Sequence, residues 1–398
     1  MDALNPEHLA NPYPIYHHLR AEDPVRWDEG TNSWVITGYT EVLSALRDNR
    51  LSAARFFIDT TWFPEEVRDT LKPVTLALTR QILFLDPPDH TRLRGLVAKA
   101  FTPRVLESLR PRIQGIVDQL LDAVQKQGQM DLMRDFAYPL PAIVIAELLG
   151  VPPEDREQFI AWTGSFGTLL GESNLTMEGA IQALLGVAEF IEYFRKTIAQ
   201  RRTAPKDDFL QDLIATEEQG DRLTEEELLA NCVLLLAAGH GTTTHLLGNG
   251  MLALLTHPDQ LQALRDHPAM ISLAVMELLR YESPVQLTSR LAKENIQIGG
   301  KQISAGQEIL LCLGAANRDP AQFDEPDRLN LSRQENRHLA FGQGIHYCLG
   351  APLARLEAEI AFNTLVKRLH APRLQTGELE WTKSLVFRGL FSLPIAFE

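Results

Sequence analysis

The chain has 398 residues, of which 45% are hydrophobic, so it is long enough to bury a large core. Its 38 basic and 52 acidic side chains leave a net charge of −14, which argues against nucleic acid or an anionic membrane surface as the main partner. It contains no run of about 18 apolar residues, and its N-terminus lacks the basic-then-apolar pattern of a signal peptide. We therefore expect a soluble, cytoplasmic protein.

Strand signals are confined to three segments, about 24–39, 286–313 and 380–398. The first reads as a hairpin, because short runs rich in valine, isoleucine and tryptophan flank a turn at 29–32. The second contains a Gly299-Gly300 turn. Apolar periodicity predicts helices over 104–126, 138–149, 154–170, 177–201, 206–217, 225–256, 258–265, 268–281 and 351–369. With no repeat and no low-complexity linker, the pattern predicts a mainly α chain with small β-sheets, folded as a single domain over 1–398.

The longest predicted helix, 225–256, begins with a capping box formed by Thr224 and Glu227. At 1.5 Å per residue it extends for about 48 Å, enough to cross a whole domain. Its middle, LAAGHGTTTH at 236–245, has two glycines and three threonines, which are poor helix formers, each glycine costing about 1 kcal/mol relative to alanine. A weak point halfway along a central helix indicates a site for something bound against it.

The strongest chemical signal is FGQGIHYCLG at 341–350, directly before the last predicted helix. Two glycines permit a tight turn ahead of Cys348, and a cysteine at a helix N-terminus has its thiolate favoured by the helix dipole. Such a sulfur is a metal ligand or a nucleophile. The other two cysteines, Cys232 and Cys312, lack this setting and CxxC spacing, so we expect buried free thiols there and neither a disulfide framework nor a zinc site.

FGQGIHYCLGAPLAR at 341–355 matches the haem-binding signature of the cytochrome P450 family residue for residue. Glu277-Leu-Leu-Arg280 resembles the ExxR pair of the same family. Three further motifs follow in the family's order: Ser283-Pro-Val285, Ala316-Asn-Arg-Asp-Pro320 and Pro326-Asp-Arg328. The chain thus resembles this family over nearly its whole length. The resemblance implies haem b and a triangular helical prism with a long central distal helix.

The resemblance assigns roles to individual residues. It makes Cys348 the axial ligand of the haem iron, and it implies that Glu277 and Arg280, with Arg328 as third member and Arg333 as the alternative, stabilise the scaffold around it. Buried propionates need cationic, hydrogen-bonding partners. The residues expected to bind the propionates or to line the haem are His90, Arg94, Arg290, His346, Phe341, Gly342, Gly350 and Ala238.

On the distal side, the resemblance places Ala238 and Gly239 over the haem, Gly241 at the position of the family's acid and Thr242 at that of its alcohol. The missing acid leaves three routes for the protons that oxygen cleavage requires. A water chain through Thr242 suffices, or His240 or His245 substitutes for the acid, or hydrogen peroxide serves as the oxidant and brings its own protons.

We expect a hydrophobic substrate, such as a secondary metabolite, terpenoid, fatty acid or macrolide-like compound. The side chains expected to line its pocket are Phe84, Phe166, Leu169, Leu234, Ala237, Val285, Leu287 and Phe387. No GxGxxG follows a strand, so electrons are expected from a separate ferredoxin with its reductase. A basic patch for that partner is predicted at Lys99, Arg104, Arg110 and Arg112.

The function predicted by these features is that of a haem-thiolate monooxygenase of bacterial type. A peroxygenase on the same scaffold is the enzymatic alternative, because Gly241 replaces the acid. A haem-binding carrier or sensor without turnover represents a different class. A hydrolase with Cys348 as nucleophile is the weakest alternative, since no His and Asn partners have reason to converge on that cysteine.

Overall fold

The structure is a computed structural model that describes residues 8, 10–55, 63, 65–99, 101–171, 175–217, 223–375 and 378–398. The helices are α1 (Tyr13–Glu22), α2 (Tyr39–Arg47), α3 (Glu65–Thr79), α4 (Asp89–Ala98), α5 (Pro103–Gln125), α6 (Pro139–Leu148), α7 (Arg156–Gly171), α8 (Met177–Thr203), α9 (Phe209–Glu217), α10 (Glu225–Thr256), α11 (Pro258–Asp266), α12 (Ile271–Tyr281), α13 (Leu313–Ala316) and α14 (Ala351–Arg368). The strands are β1 (Val25–Asp28), β2 (Ser33–Ile36), β3 (Leu51–Ser52), β4 (Gln129–Asp131), β5 (Leu287–Ala292), β6 (Ile296–Ile298), β7 (Lys301–Ile303), β8 (Glu308–Cys312), β9 (Arg373–Leu374) and β10 (Pro394–Ala396).

The predicted fold class, mainly α with small sheets, is confirmed. The chain falls into two compact units. The first unit comprises Met1–Leu51, Glu107–Pro141 and Thr242–Glu398, and the second comprises Ser52–Leu106 and Ala142–Gly241. None of the described helices is long and apolar enough to span a membrane.

The sheets lie mainly in the first unit. Strands β1 and β2 form the predicted hairpin. Strand β2 also pairs in parallel with β8, and β8 pairs in turn with β5. The Gly299-Gly300 turn joins β6 to β7, and both glycines have positive φ angles that favour glycine. One core cluster of this unit packs α2 against the sheet through buried aliphatic side chains such as Val42 and Ile309.

Among its described residues, the second unit has helices joined by loops and one strand residue, Ser52. Helices α7 and α8 pack side by side, with edge-to-face contacts of Phe190 to Phe159 and to Trp162 at their interface. Aromatic rings bury large apolar areas and prefer this geometry, which fixes the register of the two helices. These contacts hold α7 against α8.

Helix α10 runs unbroken through the weak segment 236–245. Its N-terminus has the predicted capping box, in which the Thr224 hydroxyl accepts a hydrogen bond from the Glu227 N–H and the Glu227 carboxylate accepts one from the Thr224 N–H. In the second unit, the Asn231 side chain also accepts a hydrogen bond from the Ile82 N–H. These contacts, together with burial, offset the poor helix propensity of the glycines and threonines.

Some boundaries and strands differ from the prediction. Helix α9 begins at Phe209 rather than at 206, because the Asp208 carboxylate accepts a hydrogen bond from the Gln211 N–H and caps the helix there. Strands β3, β4 and β9 were not predicted. Each of them is only two or three residues long, and β4 and β9 both pair with β10, so none carries a periodic signal of its own.

Candidate active site

The loop before α14 holds Cys348 at the N-terminus of that helix. Its backbone N–H donates to the Phe341 carbonyl at 2.9 Å, which closes the loop on itself. Gly342 and Gly344 both have positive φ angles, near 67° and 72°. At Gly344 an added Cβ would also overlap the backbone of Leu46, so glycine is required there.

Burial separates Cys348 from the other two cysteines. Cys232 and Cys312 are fully buried, and burial raises the pKa of each thiol to about 12, so both stay protonated. Cys348 is half-buried and lies just ahead of α14, whose N-cap is Gly350. Its sulfur therefore has the helix dipole and partial access that a ligand needs.

Glu277 and Arg280 form a fully buried ion pair on α12, with Arg280 donating from Nε and Nη2 at 2.8 Å each. The same guanidinium donates to the carbonyls of Asn317 and Pro326. Among the described residues, the polar contacts of Arg280 all lie inside the first unit. A buried charge pair with this many hydrogen bonds fixes the backbone around it.

The third member of this cluster is Arg333, and the prediction of Arg328 was wrong. Arg333 donates from Nε to both oxygens of Glu277 at 3.2 and 3.3 Å, and its side chain is 11% exposed. Arg328 is 64% exposed and pairs with Glu325 instead. Only its backbone takes part, since the Arg328 carbonyl accepts a hydrogen bond from Arg280.

The middle of α10 presents small residues at its accessible positions. Ala238 is exposed and Gly239, Gly241 and Thr242 are partly exposed, whereas Leu236 is buried. Gly239 packs tightly, since an added Cβ would lie 3.2 Å from Ile145. Gly241 differs, because an added Cβ there would meet nothing within 4 Å.

The two histidines considered as proton donors both have structural contacts. His240 Nδ1 lies 2.9 Å from the Thr163 hydroxyl on α7. The His245 ring packs on Gly389, where any Cβ would overlap it. One turn further along α10, Asn249 donates to the Arg388 carbonyl at 2.9 Å. His245 and Asn249 therefore hold the segment around 388–389 against α10 within the first unit.

The family model for cytochrome P450 matches residues 52–380, which is most of the chain. The chain belongs to the cytochrome P450 family. It is an oxidoreductase, and members of this family bind haem b.

Similar proteins have related sequences over more than nine-tenths of their lengths. Cytochrome P450 monooxygenase PikC of Streptomyces venezuelae is 44% identical over 99% of this chain and 93% of its own length. The structure of P450BioI in complex with an acyl carrier protein bearing hexadec-9Z-enoic acid is 41% identical, with a TM-score of 0.89 over 98% of this chain and all of that one. The structure of the myxobacterial P450 CYP267B1 in complex with myristic acid is 42% identical, with a TM-score of 0.88 over 99% and 98% of the two chains.

The residues of this P450 fit a thiolate-ligated haem in their chemistry. In the first unit, the partly accessible sulfur of Cys348 stands at a helix N-terminus, and buried Arg290 and half-buried His346 supply positive or hydrogen-bonding groups. Arg290 is held in β5 by a 2.7 Å bond from its guanidinium to the Ser289 carbonyl. Carboxylates such as propionates are stabilised by groups of this kind.

In the second unit, His90 and Arg94 lie one turn apart on α4. Burial, and next the Arg94 charge, lower the pKa of His90, so its ring is neutral near pH 7 and acts as an N–H donor rather than as a cation. Arg94 is half-buried. Together they provide one neutral and one charged donor for an anionic group.

The predicted pocket side chains divide between the units. In the second unit, Phe84, Phe166 and Leu234 are buried, and Leu169 and Ala237 are half-buried. In the first unit, Leu287 is buried, and the backbones of Val285 and Phe387 form an isolated antiparallel bridge. All eight remain candidates for contact with a substrate.

The predicted basic patch is only partly described. Lys99 is exposed, and Arg110 is paired with Glu107 at 2.9 Å, which reduces its availability to a partner. Arg112 is exposed, and the side chain of Arg104 lies outside the described residues.

Sequence reasoning missed two polar groups that complete this machinery. Asn336 donates to Glu277 at 3.0 Å, and Thr163 binds His240. Neither stands in a motif or a periodic pattern, so no local signal marks it.

Proposed function

We propose that this P450 inserts one oxygen atom from dioxygen into a hydrophobic small molecule, and that the Cys348 thiolate would hold the haem iron. The observation that carries the proposal is the setting of Cys348, half-buried ahead of α14 and enclosed by a loop with two positive-φ glycines. Haem ligated by a cysteine thiolate supplies the electron density that favours O–O cleavage.

Phe341, Gly342 and Gly350 shape the loop that holds the sulfur. His90, Arg94, Arg290 and His346 are proposed to bind the propionates. The neutral His90 ring donates an N–H, while Arg94 and Arg290 carry charge. Removal of one of these donors is expected to weaken haem retention without altering thiolate ligation.

On the distal side, Ala238 and Gly239 keep α10 free of bulk, and the Thr242 hydroxyl is proposed to hold water for proton delivery. No carboxylate stands at Gly241. His240 has a hydrogen-bonding partner on α7, and His245 is packed on Gly389. These contacts favour water held by Thr242 over either histidine as the proton route.

The proposed substrate class is a long, mainly apolar acid or acyl chain. The eight pocket candidates are all apolar, and two of the similar structures contain a fatty acid or a carrier-bound fatty acyl chain. Electrons are proposed to come from a separate ferredoxin and its reductase, which Arg112 and Lys99 help to dock.

A hydrogen-peroxide-driven peroxygenase is the second candidate. The observation that favours it is the glycine at position 241, because peroxide brings the protons that a carboxylate would otherwise deliver.

The test compares oxidants on the haem-loaded protein with myristic acid as the probe. One arm contains dioxygen, NADPH, a surrogate ferredoxin and its reductase, and the other contains hydrogen peroxide alone. We expect more product per haem in the first arm. Efficient turnover with peroxide alone would replace the proposal with the peroxygenase.

A matched pair of variants tests whether the missing carboxylate at position 241 limits proton delivery. Gly241→Glu and Gly241→Gln are similar in size, and the space beside Gly241 admits a side chain. Since a positioned acid contributes about 10²-fold or more to proton transfer, Gly241→Glu should raise dioxygen-driven turnover if proton delivery is limiting. Equal rates for the two variants would mean that a carboxylate at 241 has no such role.

The ligand itself is tested by the carbon monoxide difference spectrum of the reduced protein. Cys348→Ser should lose the red-shifted band that thiolate ligation produces, whereas Cys232→Ala should keep it. Retention of the band in Cys348→Ser would contradict the assignment.

A further inference from the structure

A buried hydrogen bond joins α7 to the middle of α10 in the second unit. His240 and Thr163 are 3% and 6% exposed, and His240 Nδ1 lies 2.9 Å from Thr163 Oγ1. The two residues are 77 positions apart in the chain. The contact is therefore a tertiary link between two helices.

The direction of this bond follows from the count of hydrogens. The Thr163 hydroxyl has one hydrogen, and it points to the Ile160 carbonyl at 2.8 Å. The hydroxyl must then accept from His240, so Nδ1 carries the proton that it donates. The result is a directed chain from imidazole to hydroxyl to backbone carbonyl.

On α10, this bond is made between two glycines that differ in their packing. His240 lies between Gly239, which packs against Ile145, and Gly241, beside which there is open space. On α7, Thr163 is three residues from Phe166, a candidate for the pocket wall. A shift of α7 would thus act on the α10 backbone next to Gly241 through His240.

We infer that His240 is a positioning residue that couples the placement of α7 to the geometry of α10 at Gly241. This inference rests on the proposed function, in which α10 lines the oxygen-binding side. It assigns His240 a role in positioning α10 rather than in proton transfer. The occupancy of the pocket beside α7 would be transmitted to the oxygen-binding stretch through this bond.

The test uses variants that remove or restore the acceptor. Thr163→Val is nearly isosteric but leaves the buried Nδ1–H without an acceptor, whereas Thr163→Ser keeps the hydroxyl. Thr197→Val on α8 is the matched control, because Thr197 also donates to a carbonyl of its own helix, that of Tyr193, at 3.0 Å and contacts no histidine there. His240→Leu removes the donor from the other side.

The deciding measurement is amide hydrogen exchange of the haem-loaded protein in the segments 160–166 and 236–245. An orphaned buried donor changes a local opening equilibrium by about tenfold to a hundredfold. We expect Thr163→Val to accelerate exchange in both segments by that factor, and Thr163→Ser and Thr197→Val to resemble the wild type. Thr163→Val combined with His240→Leu should be no worse than either single change.

The inference is overturned if Thr163→Val exchanges like Thr197→Val, or if its effect is confined to α7. A functional readout extends the test: with myristic acid, Thr163→Val should yield less product per NADPH consumed, and Thr163→Ser should restore the yield. An unchanged yield of product per NADPH in Thr163→Val would also overturn the inference. If the wild type forms no product with either oxidant, the proposed function fails, and the exchange data alone decide the role of His240.

Discussion

Glu277 is a buried carboxylate whose two oxygens serve several donors at once. Arg280, Arg333, Asn336 and the Asn330 N–H all donate to it within 3.3 Å. Such a group is stable in the interior only while its partners remain, because an unpaired buried charge is costly. The two arginines are not equivalent, since Arg280 is fully buried and Arg333 lies at the edge of the cluster.

The pair Arg333 and Arg328 offers a sharp comparison of buried and exposed arginines. We expect Arg333→Met to lower the free energy of unfolding by about 2 kcal/mol, because hydrogen bonds to a charged group are lost. Arg328→Met should change it by no more than about 0.5 kcal/mol, since that side chain is exposed. Chemical denaturation of the haem-loaded variants measures both. Equal losses would mean that Arg328 contributes through its side chain after all.

At the scale of elements, a buried ionic cluster holds α1 against other parts of the first unit. The Tyr13 hydroxyl contacts Glu282 at 3.0 Å, and Glu282 pairs with Arg388 at 2.7 Å and Arg318 at 3.2 Å. The Arg318 guanidinium also stacks on the Tyr13 ring at 3.5 Å. The cluster links α1 to the end of α12 and to the C-terminal segment.

Glu282→Gln tests this attachment. It keeps the shape of the side chain but leaves two buried arginines with less compensation, so we expect a loss of about 3 kcal/mol in the free energy of unfolding. In Glu282→Gln, the amides of α1 should also exchange hydrogen faster than the amides of α12. The control is Glu325→Gln, which removes an exposed pair with Arg328 and should be nearly neutral. If both variants lose the same amount, the cluster does not anchor α1.

At the scale of the whole molecule, buried titratable groups make stability depend on pH. Burial, with the charges of Arg280 and Arg355, lowers the pKa of His338 from 6.5 to about 3. Between these values the unfolded chain binds a proton that the folded protein does not. The stabilisation is therefore complete above about pH 6.5 and is lost as the pH falls toward 3. Glu357 has the opposite sign, because burial raises its pKa.

His338→Asn isolates the histidine contribution. Asparagine keeps an acceptor near the position of Nδ1, to which the Ala340 N–H donates, but it does not titrate. We expect the free energy of unfolding of the variant to fall less steeply between pH 6.5 and 4, with a full difference over the whole shift on the order of 5 kcal/mol. Denaturation midpoints across this range, with exposed His370→Asn as control, measure the slope. Parallel curves for His338→Asn and the wild type would contradict the expectation.

The sequence by itself determined the features that depend on neighbouring residues. The capping box at Thr224, the hairpin of β1 and β2 and the glycine turn before Cys348 are local, and the structure has all three. The motif around Cys348 also indicated the family, which the family model confirms. The haem contacts, the pocket residues and the single-domain organisation stay predictions.

Only the tertiary structure decided which distant side chains meet. Arg333 and Glu277 are 56 positions apart, and no spacing rule distinguishes Arg333 from Arg328. The pairing of β4 and β9 with β10 and the bond between Thr163 and His240 likewise join segments far apart in the chain. Such contacts depend on how helices and strands pack after they form, and that packing leaves no periodic trace in the sequence.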